Sequence, residues 1–308
     1  MGKISISVKR RLIQIIITLV SNANLRGFVT GTVYSGNLKQ ICVPGLNCYS
    51  CPGALGACPL GALQTMLADP LYKISFYIIG LLAAFGLVAG RWICGWLCPF
   101  GFLQELLYLP ARLSNKRRGS SSSERNKFRA PFSLRYTKYG LLLFPVILFP
   151  IFLTDAYGFG APYFCEWICP SGTIMGALPL LPANPSLIAF IGPLFYLKIS
   201  VAALIVAGSL ASNRFFCKYL CPLGAIYGFF NHIALTRLVF CGSECTGCGK
   251  CAEVCGMNID PRKPGQRMEC ICCGKCVKQC EHNALRMEFF DFTEGRMFPG
   301  CTGILRRE

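Results

Sequence analysis

Arg91–Leu103 reads RWICGWLCPFGFL and Arg214–Ile226 reads RFFCKYLCPLGAI. Each closes a long apolar run with a Cys-x3-Cys pair, followed at once by proline and, two places on, glycine. The phrase Cys-Pro-x-Gly occurs four times, at Cys58, Cys98, Cys169 and Cys221. In three copies another cysteine stands four places earlier, as CGWLC, CEWIC and CKYLC; the first copy has Ala54 there, with Cys51 and Cys48 further back. Proline starts a helix well, because the N–H it lacks would be unpaired in the first turn anyway, and glycine lets the backbone approach closely. The cysteine before it therefore sits at a helix N-terminus, whose free amides and positive dipole end favour an anionic, thiolate-bound group. One Cys-x3-Cys could be a pair of small buried apolar side chains. Three copies with the same sequel read as halves of cluster sockets, with zinc the alternative because tetrahedral zinc sites use the same ligands.

The flanks repeat as well. KISFYIIGLLAAFGLVAGRWIC from Lys73 resembles KISVAALIVAGSLASNRFFC from Lys198, two residues shorter. Two halves with one direction of travel predict a pseudo-twofold axis along a membrane normal, each half bringing a cysteine pair to that axis at each face. Lys198, like Lys73, is expected to start a span and snorkel its ammonium to the outer interface; the other reading is a role beside a bound cofactor.

The chain has 308 residues, 53% of them hydrophobic and 15% charged, which points to lipid rather than water as the main surroundings. Its formal charge is +17, from 31 Lys and Arg against 14 Asp and Glu. The basic residues cluster beside the apolar runs with no nucleic-acid-binding fold around them, so topology and anionic lipid explain them and nucleic acid is not an expected partner. The start, MGKISISVKRRLIQIIITLV, has a basic front and an apolar core and reads as a retained anchor.

Four spans are expected: Leu12–Thr30, Ile74–Trp92, Tyr139–Ala156 and Ile199–Asn213. Lys3, Lys9, Arg10 and Arg11 precede the first, nine Lys and Arg lie within Arg112–Lys138, and Tyr157–Leu197 carries none. The positive-inside rule then puts both termini and the linker in the cytoplasm of an inner membrane. Cys94, Cys98, Cys217 and Cys221 fall at the cytoplasmic ends of spans; Cys42, Cys48, Cys51, Cys58, Cys165 and Cys169 fall toward the outer face. The expected fold is an α-helical membrane protein of four transmembrane helices in two parallel tandem repeats, with re-entrant or interfacial Cys-Pro helices. Its membrane domain covers 1–235 (repeat one 9–111, linker 112–134, repeat two 135–235), a ferredoxin-like α+β domain 236–290 and a tail 291–308.

Two further motifs, CTGCGKCAEVC at Cys245–Cys255 and CICCGKCVKQC at Cys270–Cys280, each contain Cys-x2-Cys-x2-Cys-x3-Cys. The stretch from Thr246 to Arg286 resembles the bacterial two-cluster ferredoxin, in which the fourth cysteine crosses to the other cluster. That resemblance assigns Cys245, Cys248, Cys251 and Cys280 to one [4Fe-4S] cluster and Cys270, Cys273, Cys276 and Cys255 to another. The proline usual after each fourth cysteine is replaced by Gly256 and Glu281. Cys241, Cys272 and Cys301 lack a full motif and are read as non-ligands. His232 and His282 lie in different parts of the chain and no C-x-x-C-H occurs, so a haem is not expected.

Together, the Cys-Pro motifs after apolar spans and the tandem ferredoxin motif resemble the membrane polyferredoxins of the NapH, NosR and CcoG type, over about Lys9 to Arg286. The resemblance implies electron transfer between reduced carriers or quinones and redox enzymes. It places Fe–S ligands at Cys94, Cys98, Cys217 and Cys221 and at the eight ferredoxin cysteines. The flavin-bearing outer domain of the NosR type has no counterpart here, while GLNCYSCPGALGACPLGALQ from Gly45 belongs to a less described branch.

The expected function is an electron wire: two clusters in the ferredoxin domain, an inner cluster on Cys94, Cys98, Cys217 and Cys221, and an outer one on Cys165 and Cys169 with two of Cys48, Cys51 and Cys58, of which Cys51 and Cys58 are the favoured pair. Cys42, Cys48, Cys51 and Cys58 holding a cluster by themselves is the alternative at the outer face. A hydrocarbon layer of about 30 Å is long for one hop, so either the loops sink the clusters inward or a quinone, flavin or partner subunit bridges them. Basic residues Lys250, Lys275, Lys278 and Arg262 suit an acidic ferredoxin or flavodoxin-like carrier; a membrane redox subunit or the quinone pool is the expected partner at the other end. Competing functions are a quinol dehydrogenase or metal-ion reductase subunit, and a non-catalytic redox sensor or assembly scaffold.

Overall fold

The computed structural model describes residues 6–69, 75–111, 113, 132–288 and 301–302. Lys73, most of the expected linker and most of the tail lie outside them. The chain is mostly helical, closed at its C-terminal end by a small antiparallel hairpin.

Among the described residues, two helices are long and apolar enough to cross a membrane, Phe132–Phe152 and Pro193–Ala211. They cover the expected third and fourth spans, and the fourth begins earlier than expected because Pro193 supplies the first turn. The first two expected spans are shorter than membrane thickness. Phe76–Ala89 has 14 residues, a rise of about 21 Å. Ile6–Ser21 ends where Asn22 turns its amide onto the Thr18 carbonyl at 3.0 Å and Asn24 reaches the Pro52 carbonyl at 2.8 Å. These polar side chains satisfy the frayed helix end and redirect the chain, so the apolar run to Thr30 does not continue as one helix. The helix Phe132–Phe152 carries a π-type stretch, Leu142–Leu148, around Pro145. A wider turn accommodates a residue that cannot donate to the ladder.

The Cys-Pro sequences behave as the proline predicts. Pro59–Leu67, Pro99–Leu107 and Pro222–Phe230 are nine-residue helices, each with the preceding cysteine as an extended N-cap. Helical backbone also runs from Pro170 to Ala183. Short helices Trp92–Trp96 and Phe215–Tyr219 carry the first cysteine of each inner pair, so each repeat runs as apolar helix, bend, short cysteine helix and Pro helix. At the second bend Arg214 holds a left-handed backbone, φ 56°, a conformation costly without glycine and common where a side chain must be aimed.

In the ferredoxin module, strand Arg237–Cys241 pairs antiparallel with Leu285–Glu288, Leu238 opposite Met287 and Phe240 opposite Leu285. Cys241 also pairs through its backbone with Cys301. Helices Lys250–Glu253 and Lys275–Gln279 pack together, the latter also on the hairpin. The module is seated on the helical part: Trp96 Nε1 donates to the Cys272 carbonyl at 3.0 Å and Asn231 Nδ2 to the Arg267 and Cys270 carbonyls at 2.9 and 3.1 Å. A Cβ on Gly95 would come within 2.2 Å of the Ile271 carbonyl oxygen, so this docking requires glycine there.

Candidate iron–sulfur sites

Four cavities in the molecule are each lined by at least four cysteines. The inner one is small and closed, walled by Cys94, Cys98, Cys217 and Cys221 together with Leu46, Phe100, Phe216 and Leu223. The two cysteine pairs, more than a hundred residues apart in sequence, come together because the short cysteine helices of the two repeats face one another. Gly101 donates its amide to Cys98 Sγ and Gly224 to Cys221 Sγ, both at 3.4 Å. Each is the glycine of Cys-Pro-x-Gly, and each amide is a free first-turn donor of its helix.

In the ferredoxin module Cys245, Cys248, Cys251 and Cys280 line one cavity and Cys255, Cys270, Cys273 and Cys276 another. The fourth cysteine of each motif therefore lies with the first three of the other motif. Cys272 lines the second cavity too, but its φ of 46° and the bond from Trp96 to its carbonyl mark it as the bend between motif and docking surface. Cys241 is disulfide-bonded.

The outer cavity differs from the favoured sequence set: it lacks Cys51 and includes Cys42 and Cys48. Cys42, Cys48, Cys58, Cys165 and Cys169 line it, whereas Cys51 does not. The Cys51 amide closes a tight turn onto the Cys48 carbonyl at 3.1 Å. Across that turn Cys51 directs its thiol at Asn22 Oδ1, 3.6 Å away, while Cys48 Sγ would lie 3.6 Å from a Cβ placed on Gly172, next to Cys169. The structure thus groups Cys58, Cys165 and Cys169 with Cys48 and Cys42, and turns Cys51 away. The cavity is about 570 Å³ and is also bordered by Lys39, Tyr77 and Lys198. Lys198 borders this cavity, the placement that the second of its two sequence readings needs.

The two upper cavities are not a membrane thickness apart. Leu46 lines both, because the loop from Cys42 to Cys48 dips inward until a Cβ on Gly45 would be 2.8 Å from Cys98 Cα. Tyr227 fixes that loop through a 2.9 Å bond to the Pro44 carbonyl.

Buried charge surrounds the inner cavity in a pattern the cysteine motifs did not disclose. Arg91 and Arg214 each stand three places before a cysteine and are both fully buried. They cross over: Arg91 donates to the Cys217 carbonyl at 3.2 Å, and Arg214 to the Cys94 carbonyl. Each has a glutamate. Arg214 Nε bonds Glu105 at 2.7 Å, and Glu105 also holds Arg10 of the first helix. Arg91 pairs with Glu269, which also pairs with Lys138 and immediately precedes the ferredoxin cysteine Cys270. Burial alone would raise the Glu105 pKa, but Arg214 and Arg10 outweigh it and bring it to about 2. The shared R-x-x-C spacing of the two halves was the available sequence signal.

The donor sets fit iron–sulfur clusters: at least four thiols per cavity, amide donors on sulfurs of the inner site and cations beside it. Among the described residues no three His, Cys, Asp or Glu side chains are grouped tightly enough to hold one ion.

Residues 74–119, 140–182 and 194–238 match the 4Fe-4S binding domain family. An uncharacterized protein of Methanocaldococcus jannaschii is 30% identical over 62% of this chain and 61% of its own length. YccM of Escherichia coli, named for electron transport, is 30% identical over 62% of this chain and 47% of its own. The regulatory protein NosR of Pseudomonas aeruginosa is 28% identical over 65% of this chain and 25% of its own. The chain spans about three fifths of the length of the archaeal relatives it matches. No solved structure matches it. The chain carries a 4Fe-4S iron–sulfur domain homologous to that of NosR-like electron-transport and regulatory proteins.

Proposed function

We propose that this is a membrane-bound electron-transfer protein that passes electrons between a cytoplasmic carrier at its ferredoxin module and an acceptor at the outer face, through four [4Fe-4S] clusters. The observation that carries the reading is the gathering of cysteines from six separate stretches of chain into four groups of four or five around four cavities. A [4Fe-4S] cluster bound to such thiolates supplies one-electron transfer at a potential set by charge and hydrogen bonds around it.

The residues between cavities keep the path short. Leu46 is the shared wall of the outer and inner cavities. Trp96, Ile271 and the Arg91–Glu269 pair fill the layer between the inner cavity and that of Cys270. Apolar packing there excludes water and keeps neighbouring sites at fixed separation. Both termini and the ferredoxin module are assigned to the cytoplasm, where Lys250, Lys278 and Arg262 face an acidic ferredoxin or flavodoxin-like carrier.

Iron and sulfide analysis with EPR on anaerobically purified protein tests this: about sixteen iron and sixteen sulfide per chain are expected. Two clusters accompanied by zinc would defeat the proposal. Cys98→Ala and Cys221→Ala should each remove one signal that the ferredoxin cysteines do not account for; unchanged spectra in both would reject the inner site.

A second reading, a quinol dehydrogenase subunit, is favoured by one feature. The outer cavity is large and mostly apolar, with Tyr77 and Lys198 at its edge, which suits a small ring-shaped ligand beside the thiols. Oxidation of the reduced protein by added quinone supports it; exchange with protein carriers alone supports the wire.

A further inference from the structure

The phrase Cys-Pro-x-Gly extends further in repeat one than in repeat two. It runs CPLGALQ at Cys58–Gln64 and CPFGFLQ at Cys98–Gln104, but CPSGTIM at Cys169–Met175 and CPLGAIY at Cys221–Tyr227. Both glutamines are buried, and both make the same bonds. Gln64 Nε2 lies 3.1 Å from Cys165 Sγ and its Oε1 accepts the Phe164 amide at 3.0 Å. Gln104 Nε2 lies 3.1 Å from Cys217 Sγ and its Oε1 accepts the Phe216 amide at 3.0 Å.

The second bond of each pair fixes the direction of the first. A backbone N–H can only donate, so the side-chain oxygen must face it, and the NH2 group is left pointing at sulfur. An amide nitrogen cannot accept from a thiol, so the sulfur is the acceptor, as a thiolate would be. Each repeat-one helix therefore grips the first cysteine of the repeat-two pair opposite, together with the backbone before it.

We infer that Gln64 and Gln104 are matched positioning residues: each donates an N–H to one ligand sulfur of its own cavity, orients that cysteine, and sets the reduction potential of the outer or the inner site independently of the other. This rests on the four-cluster reading. A donor on a ligand sulfur stabilises the negative charge added on reduction and raises the potential. No side chain at the equivalent positions of repeat two repeats the contact: Tyr227 bonds the Pro44 carbonyl instead.

The test is an EPR-monitored redox titration of the full-length protein, with the two upper signals assigned by Cys58→Ala for the outer site and Cys98→Ala for the inner. Gln104→Glu removes the donor at constant shape and should lower the inner potential alone, changing the ratio of reduced to oxidised cluster at fixed ambient potential about tenfold, which for one electron is about 59 mV. Gln64→Glu should do the same for the outer signal alone. If either Glu variant loses its cluster, Gln→Met at that position, of similar size with no donor, decides. Unchanged potentials, equal shifts at both sites, or loss of the cluster in both variants of one glutamine would overturn the inference in favour of a purely structural role. Absence of upper signals from the unsubstituted protein defeats the four-cluster reading instead, so the two failures are distinguishable.

Discussion

The inner and outer sockets are built by one recipe and finished differently. Both set a repeat-one Cys-Pro helix against a repeat-two Cys-x3-Cys-Pro segment, and both lock the contact with a glutamine. The inner socket takes its fourth thiol from Cys94, four places before Cys98, and is closed by two crossed arginines with their glutamates. At the outer socket Ala54 stands in the place equivalent to Cys94, and Pro162 in the place of the arginine. Lysines replace arginines there, and the cavity stays open at about 570 Å³. A closed, charge-locked site suits an internal relay, and an open one suits exchange with something outside.

The largest expected effect concerns the outer fourth thiol. Cys48→Ala should abolish the outer EPR signal and remove about four iron per chain, as losing a ligand does for any cluster held by four cysteines. Cys51→Ala should leave both unchanged, because its thiol turns to Asn22. The reverse result would restore the set read from spacing and erase the difference between the sockets.

Next in size is the arginine lock. Arg91→Met strips Glu269 of one of its two cations in the interior, and breaking a buried pair by removing one partner costs about 3–5 kcal/mol. Thermal unfolding should move down accordingly, and the ferredoxin module should become the first site of limited proteolysis, since Glu269 and Arg91 tie it to the helices. At the outer socket Lys39→Met removes a 2.8 Å bond to the Ala54 carbonyl with no buried carboxylate left behind, so about 0.5–1.5 kcal/mol is expected. Equal losses at the two positions would show that the arginines lock nothing.

Legibility in the sequence followed how local each feature is. The ferredoxin ligands lie within 36 residues of chain; their spacing marked all eight, and the resemblance to two-cluster ferredoxins gave the crossed grouping in which they line the two cavities. The inner four needed the repeat as well, since only the likeness of CGWLC and CKYLC says that two distant pairs meet. The choice between Cys48 and Cys51 was not legible, because a single tight turn decides which of them faces the cavity and both have suitable spacing. The first two apolar helices are shorter than the spans expected; at the first, the interrupting Asn22 and Asn24 find carbonyl partners that hydropathy does not register. The burial of Arg91 and Arg214 against glutamates from elsewhere in the chain is visible only in the fold. Gln64 and Gln104 were within reach, had the repeat been compared three residues further.

The smallest effect should come from Lys198, and it tests whether the lysines at the outer socket do electrostatically what the arginines do at the inner one. Its ammonium would lie 4.0 Å from a Cβ on Gly172, on the same side as Cys48 Sγ, and it is only partly buried, so water screens its charge more than that of fully buried Arg91. Lys198→Met should lower the outer reduction potential by less than the tenfold population change expected of Gln64→Glu, and by less again at high salt, where the Debye length falls to about 3 Å. Lys198→Arg should return the potential to its original value while the inner signal stays fixed throughout. An outer potential indifferent to both substitutions would mean that Lys198 only reaches for the interface, leaving Lys39 and the hydrogen-bond donors to control the potential of the open socket.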